Sequence, residues 1–285
     1  MVSIGKFFRP LRRWLVRRGL RTIMLKNPGE SGFAGVAVSW REPDPARLLR
    51  CSLATVKKYG HSAHFLIHDE DDLIQRELAN GRFYEPEELA MIEHHFDGGC
   101  FVDVGANVGN HAVYAGVVLG ANRIVAVEPN PDIARLLRCN LALNHLAGCA
   151  EVHEIGLSDT DGKATLERIA PHNIGASRLE TGTGGIRLGT GDAILNDEVP
   201  TFIKIDTEGF EVKVLKGLTE TITAYRPVIL VEVEDANLAA VEELLCTYGY
   251  TEADRFSRYR GLANYLYKVD GQSAREPRAR HKVTR

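Results

Sequence analysis

From Cys100 onward the chain alternates short apolar runs with longer stretches in which apolar residues recur every three or four positions. The runs Cys100 to Val104, Arg123 to Val127, Glu151 to Ile155, Thr201 to Ile205 and Val228 to Glu234 are too short for helices. They suit strands of a parallel sheet buried on both faces. Between them, His111 to Leu119, Asp132 to Asn144 and Asn237 to Thr247 have helical length and pattern. The predicted architecture is therefore α/β, a mostly parallel, doubly wound sheet. The Gly- and Thr-rich stretch Lys163 to Asp192 reads as a hairpin with a long excursion, and Tyr250 with Asn264 to Tyr267 as a terminal strand pair. Upstream, Arg47 to Tyr59 and Glu85 to Phe96 read as helical, and His64 to Ile67 as a short strand.

The chemistry sits at the strand tips. The first run leads through Asp103-Val-Gly105-Ala-Asn107-Val-Gly109 into the next helix. Glycines at 105 and 109 permit a sharp turn and close approach of a ligand, and the N–H groups at the helix start can face an anion. Asn107, in mid-turn, tolerates left-handed backbone. Asp103 lies beside the crevice in which open α/β sheets bind ligands. A carboxylate there repels a pyrophosphate and suits an ammonium or a sulfonium. Glu128, at the tip of the second run, can accept hydrogen bonds from both hydroxyls of a ribose. Pro129 ends that run, and Pro131 suits the first turn of the helix that follows.

The pattern Asp103-x-Gly105-x-Asn107-x-Gly109, followed by Glu128-Pro129-Asn130, is similar to the motifs of Rossmann-like (class I) S-adenosylmethionine-dependent methyltransferases. Phe65 to Glu88 upstream, and Gly156-Leu-Ser-Asp159 and Lys204-Ile-Asp206-Thr-Glu208-Gly downstream, fall in matching order and spacing. From about Phe65 to about Lys268 the chain resembles the FkbM-type methyltransferase family. The resemblance implies a class I fold with an antiparallel last strand, and S-adenosyl-L-methionine as cofactor. It implies cofactor contacts from Asp103, Gly105, Asn107, Gly109 and Glu128, from Asp159 beside the adenine, and from Glu85, with Tyr84 also facing the pocket. Two of these have plainer explanations. Ser158 to Gly162 is an ordinary turn sequence, and Glu85-Pro86 an ordinary helix start.

In this class the tip of the fourth strand faces the transferred methyl. Lys204, Asp206 and Glu208 are therefore candidates to position an acceptor or take its proton, and alternation puts 204 and 206 on one face. Glu208 and Glu211 also read as acids at a helix start. Glu232 and Glu234 alternate onto one face of the fifth strand. With Asp206 they could form an oxygen-rich magnesium site. The reading preferred here is metal-free, with Glu232 as base or hydrogen-bonding group. The acceptor implied is an oxygen of a sugar, glycan or natural-product-like small molecule.

Composition bounds the rest. The chain has 285 residues, 44% hydrophobic and 26% charged, enough for one substantial core. A net charge of −3 argues against a nucleic-acid partner. Five scattered cysteines without a Cys-x-x-Cys pair suggest reduced thiols and a cytoplasmic setting. His61, His64 and His68 fit no zinc spacing. Residues 1 to 29 carry eight Lys and Arg with no acid, and Phe7, Phe8, Leu11, Trp14, Leu15 and Leu20 lie among them. The arginines break every apolar run before it reaches the length of a signal peptide or a membrane span. Peripheral contact with an anionic inner membrane surface through an interfacial helix is one expectation, and a solvated or domain-packed helix the other. The expected division is a partly helical basic extension over 1–60, a methyltransferase domain over 61–270 and a disordered basic tail over 271–285. Two other classes stay open: a nicotinamide-dependent oxidoreductase, against which the glycine spacing and Asp103 argue, and a non-catalytic binding protein on the same fold.

Overall fold

The computed structural model describes residues 22–25, 35–39, 49–170 and 173–271. The first strands, β1 (Thr22–Leu25), β2 (Gly35–Ser39), β3 (Leu49–Lys58) and β4 (His61–Ile67), form an antiparallel sheet in sequence order. This corrects the expectation of a helix over Arg47 to Tyr59. The corrected segment buries Ala54 and Val56 at the strand period of two and turns through Tyr59 (φ 48°) and Gly60 (φ 82°) into β4. Two successive left-handed residues make the tight connection favoured by antiparallel hairpins. The hairpin crosses the expected boundary at residue 60. The proposed interfacial helix and the basic tail lie almost wholly outside the described residues, and the described parts of the N-terminal stretch are strands.

Two helices follow, α1 (Leu73–Ala79) and α2 (Pro86–His95). Asp72 caps α1 by accepting the Gln75 N–H at 3.0 Å. The central sheet then begins with β5 (Cys100–Val104), α3 (Asn110–Val117), β6 (Arg123–Val127), α4 (Pro131–Leu143) and β7 (Ala150–His153). A small mixed sheet interrupts it, made of β8 (Gly156–Leu157), β9 (Gly162–Ala170), β10 (Asn173–Thr181) and β11 (Ile186–Gly189). After the short α5 (Gly191–Ile194) come β12 (Pro200–Ile205), α6 (Glu211–Lys216), α7 (Thr219–Tyr225), β13 (Val228–Glu234) and α8 (Asp235–Thr247). Strands β14 (Tyr250–Tyr259) and β15 (Leu262–Val269) complete the chain's described part.

The central sheet has the order β14-β15-β13-β12-β5-β6-β7. Strands β5, β6, β7, β12 and β13 run parallel, and β15 inserts antiparallel between β13 and β14. Alternate strand residues point to opposite faces. Phe101, Ala126, Phe202 and Leu230 enter one core with the N-terminal sheet, α3 and α4, while Val102, Val125, Ile203 and Val231 enter the other with α6 to α8. Burial on both faces explains why these strands are continuously apolar rather than alternating. Phe101 and Phe202 stack at 5.4 Å, with Phe96 edge-on to both. Among the described residues no helix is long and apolar enough to cross a membrane.

Candidate active site

A cavity of about 220 Å³ opens at the C-terminal ends of β5, β6, β12 and β13. Its first wall is the turn between β5 and α3. Gly105 (φ 82°), Asn107 (φ 49°) and Gly109 (φ 93°) are all left-handed, as the turn sequence suggested. The Gly105 and Ala106 N–H groups both donate to the Val127 carbonyl at 3.0 Å, tying the turn to the end of β6. A Cβ at Gly105 would lie 1.8 Å from the Asp206 carbonyl oxygen, so the chain passes there only as glycine.

Glu128 is locked from two sides. Its Oε2 accepts the Asn107 N–H at 2.9 Å and its Oε1 the Asn130 N–H at 2.8 Å. Each oxygen keeps further accepting capacity. Burial pushes the Glu128 carboxyl up to about 7, against the pull of those two N–H groups.

Opposite lies a concentration of acids. Asp206, Glu208 and Glu232 line the cavity and bring ligand atoms within 4.8 Å of one another. Glu234, expected beside them, stands at the N-cap position of α8, without a side-chain cap bond, and is not in this group. Glu208 (φ 51°) sits in a strained turn that Glu211 folds back, its carboxylate accepting the Gly209 N–H at 2.6 Å. Glu85 (φ 55°) also lines the cavity and makes no side-chain cap to α2, so the helix-start explanation does not account for its carboxylate. Burial first, then Glu88 and Asp206, push Glu85 up to about 10. Burial, then Asp206, Glu88 and Glu85, do the same to Glu232.

Below this wall the charges are buried outright. Lys204 is 1% exposed and reaches Asp206 Oδ2 at 2.9 Å and Glu88 Oε1 at 3.7 Å. Burial alone would lower its pKa, but Asp206, Glu88 and Asp103 outweigh it and hold the ammonium charged. Asp103 pairs with Lys204 in strand register and is fully buried. It lies beneath the cavity rather than in its lining. Its oxygens have no hydrogen bond of ordinary geometry, and burial pushes its carboxyl up to about 6 against the pull of Lys204 and, more weakly, of the Ala112 N–H. Asp159 stands apart: it is exposed, outside the lining, and accepts the Ser158 hydroxyl at 3.1 Å, as an ordinary turn residue would.

Several contributors were not anticipated from sequence. Asn110, the first residue of α3, clamps the Tyr84 backbone, accepting its N–H at 2.9 Å and donating to its carbonyl at 3.0 Å. This joins the glycine turn to the segment that carries Glu85. His111, buried, lies 3.5 Å from Glu88 Oε1 and 3.8 Å from Glu85 Oε2, and burial and Lys204 keep its imidazole neutral. On α4, Asn140 accepts the Leu66 N–H and donates to the Val108 carbonyl, both at 2.8 Å, while Asn144 accepts the His64 N–H and donates to its carbonyl.

A seven-stranded sheet of this order, with a glycine turn after β5, a ribose-type acid after β6 and carboxylates at the tips of β12 and β13, defines a Rossmann-like class I methyltransferase. Residues 103–252 match the Methyltransferase FkbM domain, and the chain belongs to that family. It is 28% identical over 175 residues to the hexuronic acid methyltransferase AglP of Haloferax volcanii, covering 60% of this chain and 70% of that protein. Among solved structures it is similar to methyltransferase FkbM from Methylobacillus flagellatus KT, at 23% identity and TM-score 0.44. That match covers 68% of this chain and 52% of the other, about half its length. Another is M. jannaschii TYW2 in complex with AdoMet, at 12% identity and TM-score 0.38 over 87% of this chain and 94% of that one.

Proposed function

We propose that this methyltransferase uses S-adenosyl-L-methionine to methylate a hydroxyl oxygen of a sugar, glycan or natural-product-like acceptor. The observation that carries the reading is the opposition across one cavity of Glu128, held by two loop N–H groups, and the Asp206–Glu232 wall. The donor set fits the cofactor. Glu128 retains oxygen lone pairs for the ribose hydroxyls, and Asp103, buried with no ordinary hydrogen bond, places a negative field under a cationic group. Gly105, Asn107 and Gly109 shape the turn around it, and Glu85 lines the same cavity. Asp159 is exposed at the edge of the same cavity, next to the lining residues Gly156 and Leu157, and no step of this reading uses it.

When bound, the cofactor supplies a methyl group on a sulfonium already activated toward displacement. The chain's own tasks are to align the acceptor and take its proton. Glu232 and Asp206 face the place where that proton is released, and Lys204 fixes Asp206 from below. Glu208 bounds the same crevice as a positioning group. The metal-free reading is preferred because Lys204 already supplies a cation to the Asp206 side of the cluster. A sugar acceptor draws support from the relative named as a hexuronic acid methyltransferase.

Calorimetric titration of the purified protein with S-adenosylmethionine, S-adenosylhomocysteine and NAD tests the reading, with Glu128→Ala alongside. Binding of the two sulfur compounds, weakened in the variant, with no response to NAD, is the expected result. Binding of NAD alone would overturn it.

A further inference from the structure

Helix α2 opens with two glutamates three residues apart, Glu85 at its N-cap and Glu88 in its first turn, so both project from one side of the helix. Glu85 makes no side-chain cap bond, and Glu88 Oε1 is buried without a hydrogen bond. Across from them stands His111, in the first turn of α3. Its Nε2 lies 3.5 Å from Glu88 Oε1 and 3.8 Å from Glu85 Oε2, and it too is buried without a hydrogen bond. Glu88 is 2% exposed and His111 7%. Asn110 clamps the Tyr84 backbone beside them, so the meeting of the two helix starts is set by the main chain.

Buried polar atoms are nearly always paired, so three residues that turn unpaired atoms toward one point ask for an occupant. The neighbouring cations do not fill the place. Lys204 is hydrogen-bonded to Asp206 at 2.9 Å and stands 3.7 Å from Glu88 Oε1, beyond hydrogen-bond reach. Arg258 donates to Glu87 at 2.7 Å and stands 3.8 Å from Glu85 Oε1. The donors, two carboxylates and an imidazole nitrogen, are those that ligate divalent transition ions. On a tetrahedral ion with bonds of ~2.0–2.2 Å, ligand atoms stand roughly 3.3–3.6 Å apart. Here one ligand atom from each residue lies within 4.8 Å of the other two, and the two distances from His111 are 3.5 and 3.8 Å. A ligating imidazole must be neutral, and burial keeps His111 so. A void of about 10 Å³, room for one water, adjoins both glutamates, and Asn264 on its wall has a buried Oδ1 with no hydrogen bond.

We propose that Glu85, Glu88 and His111 bind one divalent transition ion of zinc type, through two carboxylate oxygens and the His111 Nε2. The nitrogen donor sets this site apart from a magnesium site, which takes oxygen throughout. It also sets it apart from the group Asp206, Glu208 and Glu232, which offers oxygen alone and already has Lys204 on Asp206. The ion ties the start of α2 to the start of α3 and fixes Glu85 at the cavity wall. It is a positioning ion. Proton transfer stays with Asp206 and Glu232, and no step of the methyl transfer passes through the metal.

The test is calorimetric titration of the metal-stripped full chain with zinc and, separately, with magnesium. No cofactor is present, so the outcome does not depend on the methyltransferase reading. Zinc should bind at one equivalent per chain, about tenfold or more tightly than magnesium. His111→Gln and Glu88→Gln should each weaken zinc by about tenfold or more. Glu208→Gln, in the other acid group, should leave zinc affinity within about twofold. Cobalt bound to the wild type reads the site without any variant having to fold, an intense visible band marking a tetrahedral ion. No zinc bound, or zinc bound equally by His111→Gln as an adventitious ion on other histidines, overturns the proposal. So does zinc lost in Glu208→Gln, magnesium bound as tightly as zinc, or only the faint cobalt band of an octahedral ion.

Discussion

The ammonium of Lys204 lies 2.9 Å from Asp206 Oδ2 and 3.7 Å from Glu88 Oε1, so one buried cation joins the cavity wall to the first turn of α2. Asp103 faces the same lysine from the neighbouring strand. The arrangement puts three carboxylates around one fully desolvated positive charge. Its worth lies less in net attraction than in what happens when the centre is removed, because buried carboxylates left without a cation are costly.

Lys204→Met is therefore expected to destabilise the protein by about 3–5 kcal/mol, the usual cost of breaking a buried pair from one side. Urea unfolding reads it as a lowered midpoint. Adding Glu88→Gln removes one of the stranded charges and should recover part of the loss. A Lys204→Met protein as stable as wild type would mean that the cluster is held by something other than this lysine.

Glu128 and Asp206 stand on opposite sides of one cavity, and their variants should fail differently. Glu128→Ala deletes a carboxylate that already holds two loop N–H groups and faces the cofactor side. Hydrogen bonds to a charged group contribute about 1.5–3 kcal/mol each, so cofactor affinity should fall roughly ten- to a hundredfold. Asp103→Ala should act in the same direction through the lost field. Asp206→Ala should chiefly lower kcat at saturating cofactor, as loss of a group used in the transition state does. Equal effects of all three on both parameters would remove the division of roles.

Asn140 and Asn144 make a structural prediction of their own. From one face of α4 they hold the edge of β4 and the glycine turn together, with bonds of 2.7–2.8 Å. Asn140→Leu strands the buried Leu66 N–H and Val108 carbonyl, at about 1–3 kcal/mol for each unsatisfied group. Thermal unfolding should show a lower Tm, and cofactor affinity should drop with it because Val108 lies between Asn107 and Gly109. A drop in Tm with affinity unchanged would show that the turn holds its shape without α4.

The legible part of this fold was the part governed by short-range pattern. Buried parallel strands announce themselves as apolar runs, and the turn at Gly105 to Gly109 announces its left-handed residues. Strand β3 was hidden because its hairpin turns on Tyr59, a residue that seldom takes positive φ, rather than on Asn or Asp. Glu88, Asn110, Asn140 and Asn144 were hidden for another reason. Each is a polar residue on a helix, where solvent exposure is the default reading. Their partners lie far off in the chain, 26 residues away for Asn110 and 80 for Asn144. Asp159 shows the converse: a residue in a matching motif that lies exposed beyond the lining, although Gly156 and Leu157 just before it line the cavity.

The acids of the cavity set a pH dependence whose sign can be worked out. Glu232 and Glu85 are each raised from the usual carboxylate range to about 10, burial being the main cause. Between pH 4.5 and 10 the folded chain binds protons at these groups that the unfolded chain has lost, so stability is fullest at low pH and falls as pH rises through the folded values. Buried histidines such as His111, lowered by burial, act in the opposite sense but only below pH 6.5. The window from pH 7 to 9 therefore reports the carboxyl groups, at up to about 1.4 kcal/mol per pH unit for each. Denaturant midpoints of the cofactor-free protein should fall across it, and Glu232→Gln should flatten the fall. The same carboxyl must lose its proton before it can accept one from a hydroxyl, so kcat/KM for the acceptor should climb with pH where stability declines. A stability curve flat from pH 7 to 9, or a Glu232→Gln enzyme whose activity keeps the alkaline rise, would assign the proton transfer to Asp206 instead.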